Sequence, residues 1–283
     1  MRVLVLGASG MLGNAMLRMM SVQDNWSVYG TLRSPNPALK ALVPKAQLLH
    51  GIHADQPDSL IAAFTQSRPQ VVINCIGLVK QLASADDPLE AIPINGLLPH
   101  RLANLCELVE ARLVHISTDC VFSGSKGNYR ESDVPDAQDL YGRSKLIGEV
   151  SYSHAITLRT SIIGHELGRD HGLVGWFLSR QERVKGYTEA IFSGLPTCEL
   201  TRVVRDFVIP HASLRGVYHV AAEPISKHDL LQIVNREYGK NLQIEPDDQV
   251  KINRSLDASR FREATGYVAP AWPDLIAQMR EFR

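Results

Sequence analysis

The sequence predicts an α/β fold built on a doubly wound parallel sheet. Three observations carry that expectation. The first is a short run, Val3-Leu4-Val5-Leu6, apolar at every position, that leads straight into glycines spaced three apart. A strand apolar on both faces belongs inside a parallel sheet with helices on either side. The second is the regular alternation, through the first half of the chain, of short β-type runs with stretches of helical periodicity. The third is a change of pattern after Gly164, where a polar, loop-like segment begins. The boundary predicts one unit over residues 1–163 and another, of different character, over 164–283.

Residues 2–6 read as the first strand and 14–20 as the first helix, with Gly7-Ala8-Ser9-Gly10-Met11-Leu12-Gly13 between them. Glycines at this spacing allow a tight turn, close approach of a pyrophosphate to the backbone, and close packing of helix on strand. The helix start presents free N–H groups to phosphate. Gly7, Gly10, Met11, Leu12 and Gly13 are therefore expected against a dinucleotide. The second strand covers 26–31. An NAD site commonly has an acidic residue near its end, for the ribose 2′-hydroxyl. No Asp or Glu lies between Trp26 and Ala46, and Arg33 stands there instead. A guanidinium suits a 2′-phosphate, which favours NADPH over NADH.

A third strand follows at 47–50 and a helix at 57–67, with His53 and Asp55 on the loop between them as adenine-side candidates. Residues 71–77 form a fourth strand whose end, Cys75-Ile76-Gly77, should line the cofactor crevice, since ligands lie beyond the carboxyl ends of such strands. A helix at 99–111 leads to a fifth strand at 113–118, which ends in Thr118. Tyr141 and Lys145 then stand four apart on a further helix, and so share one face. A free tyrosine titrates near 10, and a neighbouring cation lowers that value. Such a pair can exchange a proton in a carbonyl–alcohol interconversion. Beyond it, a sixth strand is centred on 156–159. Helices are expected at 173–183, 197–207, 227–238 and 272–282, and a strand at 216–220.

Bulk composition narrows the function classes. The chain has 283 residues, 30 Lys+Arg against 30 Asp+Glu, and no formal net charge. No basic stripe points to nucleic acid and no polybasic patch to a membrane. No apolar run approaches the ~18 residues of a membrane span. The four cysteines, Cys75, Cys106, Cys120 and Cys198, show no CxxC or metal-ligand spacing. They read as reduced thiols of a cytoplasmic protein. His165 and His171 read as solvated loop histidines, so no metal is expected.

Six stretches, in order, carry a family resemblance: GASGMLG (7–13), VVINCIG (71–77), PINGLLPHRLA (93–103), HISTDCVFSG (115–124), YGRSKLIGE (141–149) and LRTSIIG (158–164). Together they resemble the extended short-chain dehydrogenases/reductases, and within them the dTDP-4-dehydrorhamnose reductase group. The resemblance implies a Rossmann-like NADP-binding domain and a smaller, interleaved α/β substrate lobe that returns to the main sheet. It implies NADPH-dependent reduction of a nucleoside-diphosphate 4-keto-6-deoxy sugar for surface polysaccharide. Lys145 would hold the nicotinamide ribose and depress the Tyr141 pKa. Tyr141 would supply the proton, and Thr118 would hold the substrate carbonyl. Asn95 would support the active-site backbone. Asp119, Cys120, Phe122 and Arg254 would lie at the sugar nucleotide. Arg159, Arg169, Arg183, Lys185, Arg202 and Arg205 are available for its diphosphate.

The chain also departs from these relatives. Cys120 stands where they usually have tyrosine, and Ile52 where they often have an adenine-binding aspartate. Related 4,6-dehydratases place a glutamate at the position of Cys120, so dehydration is not expected. Two alternatives stay open: a sugar-nucleotide epimerase with retained NAD(P), and a non-catalytic NADP-binding regulatory subunit. A homodimer is compatible with the sequence, which does not fix oligomeric state.

Overall fold

The computed structural model describes residues 1–78, 86–168 and 172–283. Among these, seven strands form one parallel sheet: β1 (Arg2–Leu6), β2 (Ser27–Leu32), β3 (Gln47–His50), β4 (Val71–Asn74), β5 (Arg112–Thr118), β6 (Ala155–Thr160) and β7 (Gly216–His219). Their order is β7-β6-β5-β4-β1-β2-β3. The winding reverses between β1 and β4, which opens a crevice at their carboxyl ends.

The alternation of side chains along each strand divides the core. Val3 and Val5 join Met16 and Leu17 of α1 (Met11–Met20) on one face. Leu4 and Leu6 join Leu60 and Phe64 of α3 (Pro57–Ser67) and Leu102 of α5 (Leu98–Leu108) on the other. A short α2 (Pro37–Leu42) precedes β3, and α4 (Pro88–Ala91) runs into a π-helical turn, Ile92–Leu97, ahead of α5. Between β5 and β6 lies α6 (Leu140–Ile147).

The second half does not enclose a core of its own. Leu200 of α8 (Thr197–Val203) and Leu275, Ile276 and Met279 of α11 (Trp272–Glu281) join the same buried cluster as Val3 and Val5. Strand β7 extends the main sheet. The predicted helix at 173–183 is shorter, covering only Leu173–Leu178 as α7. Val184–Tyr187 instead pairs in parallel with Ile244–Asp247. A second small ribbon sets Ala190–Phe192 between Ile225–Ser226 and Ile252–Asn253. Asn253 N donates to the Gly124 carbonyl at 2.8 Å, so this ribbon reaches the loop that follows β5. Helices α9 (Lys227–Glu237) and α10 (Ser259–Thr265) complete the lobe. No helix of the described residues is long and apolar enough to cross a membrane.

Candidate active site

The glycine turn lies at the reversal point. Gly7 has φ +79°, a left-handed conformation that side chains rarely adopt. A Cβ on Gly13 would come within 2.8 Å of the Gly7 carbonyl carbon, so α1 can lie against the turn only with glycine there. Gly10, the N-cap of α1, offers no side-chain cap, which leaves first-turn N–H groups for a ligand. Thr31, in β2, pins the turn: its hydroxyl accepts from Gly7 N at 3.1 Å and its carbonyl from Ala8 N at 3.1 Å. This cradle fits a pyrophosphate.

A chain of contacts leads from the turn to the predicted catalytic residues. A Cβ on Gly7 would lie 3.0 Å from Ile76 Cγ1, and one on Gly77 would lie 3.7 Å from Lys145 Nζ. Lys145 is buried, and its Nζ donates to the Ile116 carbonyl at 2.8 Å. Tyr141 is half-buried, and the Thr118 side chain lies near enough to its phenol to lower the phenol's pKa. The Thr118 hydroxyl accepts from Cys120 N at 3.1 Å and donates to Asp119 Oδ1 at 3.2 Å. It therefore has the local backbone bond common at strand ends.

Two features set α6 against β5. Asp139 caps the helix, accepting from Gly142 N at 2.8 Å. Gly142 touches the turn after β5: a Cβ there would run into the Cys120 carbonyl oxygen and come within 2.6 Å of Ala137 Cβ. Glycine inside a helix costs about 1 kcal/mol relative to alanine. That mismatch was the sequence signal for a close approach. Asn95, in the π-helical turn, joins the other side of α6. Its Oδ1 accepts from Leu78 N at 2.9 Å, and its Nδ2 donates to Ser144 Oγ at 3.2 Å.

The electrostatics correct one expectation. The Tyr141 phenol is held above its ordinary value, not below it. Desolvation is the largest cause, followed by the nearby Cys120, and the Thr118 side chain opposes them only in part. Lys145 is itself buried and pushed down to about 8, with Glu149 and Cys75 opposing. Its ammonium binds a strand carbonyl, so helical spacing to Tyr141 did not translate into a depressed phenol. Burial also pushes the Cys75 thiol up to about 12 and raises the Asp119 carboxyl, against Arg254, Cys120, Thr118 and Lys227.

The other predicted positions divide. Arg33 is exposed just beyond β2. Ile52 N donates to the Leu32 carbonyl at 3.1 Å, which brings the loop carrying His53 beside Arg33. His53 is half-buried and its backbone is tied to Ser59. Arg254 Nε donates to the Phe122 carbonyl at 2.8 Å, which places it at the loop after β5. Phe122, expected at the sugar, is instead fully buried and stacks on Tyr129 at 4.1 Å. Arg159, expected near a diphosphate, is buried in a salt bridge with Glu149. Arg183, Lys185, Arg202 and Arg205 are each paired with a carboxylate. Arg169 and His171 lie outside the described residues. Sequence reasoning missed Ser117 and Ser144, which anchor Glu149 and Asn95. All four cysteines are thiols. Among the described residues no group of three or more His, Cys, Asp and Glu could hold a metal ion.

Comparison with known proteins places this geometry among relatives. The family model described as RmlD substrate binding domain matches residues 1–279. A probable low-salt glycan biosynthesis reductase, Agl14 of Haloferax volcanii, is 28% identical over 234 residues, covering 79% of this chain and 75% of its own. Methionine adenosyltransferase 2 subunit beta of Pongo abelii is 35% identical over 151 residues, 52% of this chain and 41% of that one. Among solved structures, a dTDP-4-dehydrorhamnose reductase of Bacillus anthracis in complex with NADP superposes with TM-score 0.81 at 21% identity, covering 99% of this chain and 98% of that one.

Proposed function

Because this chain belongs to the RmlD substrate binding domain family, we propose that it reduces the 4-keto group of a nucleoside-diphosphate 4-keto-6-deoxy sugar with NADPH, for surface polysaccharide synthesis. The observation that carries the reading is that Thr118, Tyr141 and Lys145 gather at one strand end: Lys145 Nζ donates to the Ile116 carbonyl at 2.8 Å, and Gly142, next to Tyr141, packs on the Cys120 carbonyl two residues past Thr118. The Lys145 ammonium lies beside Gly77. NADPH, when bound, supplies the hydride. The glycine turn and α1 would hold its pyrophosphate, Arg33 its 2′-phosphate, and Cys75, Ile76 and Gly77 its nicotinamide half. Tyr141, protonated at neutral pH, would give its proton to the carbonyl oxygen. Thr118 would fix that oxygen by a hydrogen bond where negative charge develops. Lys145 would hold the nicotinamide ribose. Asp119, Cys120 and Arg254 would line the sugar-nucleotide side.

The Bacillus anthracis likeness, with NADP in that crystal, supports the cofactor, and the name of Agl14 supports a reductase acting in glycan synthesis. The test is stoichiometric NADPH oxidation against a panel of dTDP- and UDP-linked 4-keto sugars. Tyr141→Phe should keep NADPH binding and lose roughly 10² to 10⁴ in turnover. Turnover without net NADPH consumption would replace the reductase with an epimerase. A second reading draws on the likeness of about half the chain to methionine adenosyltransferase 2 subunit beta. Under it the fold would bind NADP and regulate a partner. Tight NADPH binding, no turnover on any sugar of the panel and a stoichiometric copurifying protein would favour it.

A further inference from the structure

Lys145 is 5% exposed, and among the described residues its ammonium donates to one backbone carbonyl, that of Ile116. A carbonyl is a weak counterpart for a dehydrated cation, because buried charge is costly unless opposite charge faces it. Four residues on, just past the end of α6, stands Glu149. Its carboxylate is clamped. Ser117 Oγ donates to Oε1 at 2.8 Å, Arg159 Nε to Oε1 at 2.8 Å, and Arg159 Nη2 to Oε2 at 2.7 Å. Both side chains of this ion pair are at most 6% exposed. Ile116 and Ser117 are consecutive on β5, so one strand end grips the ammonium and the carboxylate together.

The other groups around the lysine are poor counterions. Cys75, on the loop after β4, is kept as a thiol by burial. His115, on β5, is kept neutral by burial, with Lys145 and then His100 of α5 adding to the effect. Behind Glu149, Arg159 Nη1 meets His219 Nε2 on β7 at 3.3 Å, and Glu131 accepts from His219 N at 2.8 Å.

We propose that Glu149 is a positioning residue for Lys145: its clamped carboxylate keeps the buried ammonium charged at neutral pH while touching neither substrate nor cofactor. The consequence for turnover rests on the reductase reading; the electrostatic role does not. Burial alone pulls Lys145 down toward the physiological range, and Glu149 is the largest opposing influence. A neutral lysine would remove the positive charge that the reductase reading sets at the nicotinamide ribose. Spacing on α6 puts Tyr141 and Lys145 on one face, while Glu149, past the helix end, is brought to the same strand end by Ser117, next to the Ile116 carbonyl that holds the ammonium.

The experiment is an NMR titration of the Lys145 side-chain nitrogen in ¹⁵N-lysine-labelled full-length protein, assigned with Lys145→Met. Glu149→Gln, which keeps size and hydrogen bonding, should move the Lys145 midpoint down by about one pH unit. Arg159→Met, which leaves Glu149 less neutralised, should move it up. Opposite signs are the signature of charge; equal shifts, or none, would overturn the proposal. Should Glu149→Gln leave Arg159 too unstable to fold, the double variant Glu149→Gln/Arg159→Met carries neither charge. It should then titrate below wild type, and a midpoint at or above wild type would equally overturn the proposal. In turnover, the alkaline limb for Glu149→Gln should shift with the NMR midpoint. The titration needs no substrate, so opposite shifts in a chain that oxidises no NADPH would sustain Glu149's role and remove the reductase reading.

Discussion

Gly142→Ala should disable the site while leaving the fold standing. The new Cβ would lie 2.6 Å from Ala137 Cβ and run into the Cys120 carbonyl oxygen. Carbon atoms sit comfortably at roughly 3.5–4.0 Å, so about 1 Å of room must be found. Neither neighbour is the end of a flexible side chain. Cys120 belongs to the turn that carries Thr118, and Ala137 N is bonded to the Val121 carbonyl of the same turn at 3.0 Å. The start of α6 must therefore move away from that turn and take Tyr141 with it. Overpacking costs about 1–3 kcal/mol, and alanine returns about 1 kcal/mol of helix propensity, so net stability should fall only modestly. Displacing a proton donor by about 1 Å costs on the order of 10² in rate. Steady-state NADPH oxidation should show that loss in kcat. Cofactor affinity, read by fluorescence, should change little, because the glycine turn and Arg33 belong to elements other than α6 and the turn after β5. A variant with wild-type kcat would mean that α6 absorbs the methyl without moving Tyr141, and the reasoning from close packing would fail.

Two further expectations concern residues whose surroundings differ sharply. Arg33→Ala, at the exposed end of β2, should weaken NADPH and spare NADH, since the fork serves only the 2′-phosphate; equal losses for both cofactors would assign Arg33 to the surface. Phe122→Ala removes a fully buried ring stacked on Tyr129, with the Arg159 guanidinium 5.2 Å from its centroid. Denaturant unfolding should show a loss of about 3–5 kcal/mol with an unchanged substrate KM; intact stability with a raised KM would return Phe122 to the sugar site.

The sheet was legible because its signals are short-range. Val3 to Leu6 fill both faces of one strand, Gly7 takes a backbone conformation few residues tolerate, and helical spacing sets Tyr141 and Lys145 on one face. The weaker elements were not legible. The π-helical turn Ile92–Leu97 and strands of two residues, such as Ile252–Asn253, are too short to build a period. They exist because distant segments pair with them.

The sequence by itself determined the doubly wound sheet and the glycine turn at its reversal, since these follow from backbone constraints and local periodicity. Only the tertiary structure decided which charges are spent on one another. Arg159 looked free for a diphosphate until Glu149, ten residues earlier, proved to hold it in the core. Lys145 looked like the partner of Tyr141 until the Ile116 carbonyl took its proton donor and burial raised the phenol. Pairing and desolvation depend on what the folded chain brings within a few ångströms, and no local pattern records that.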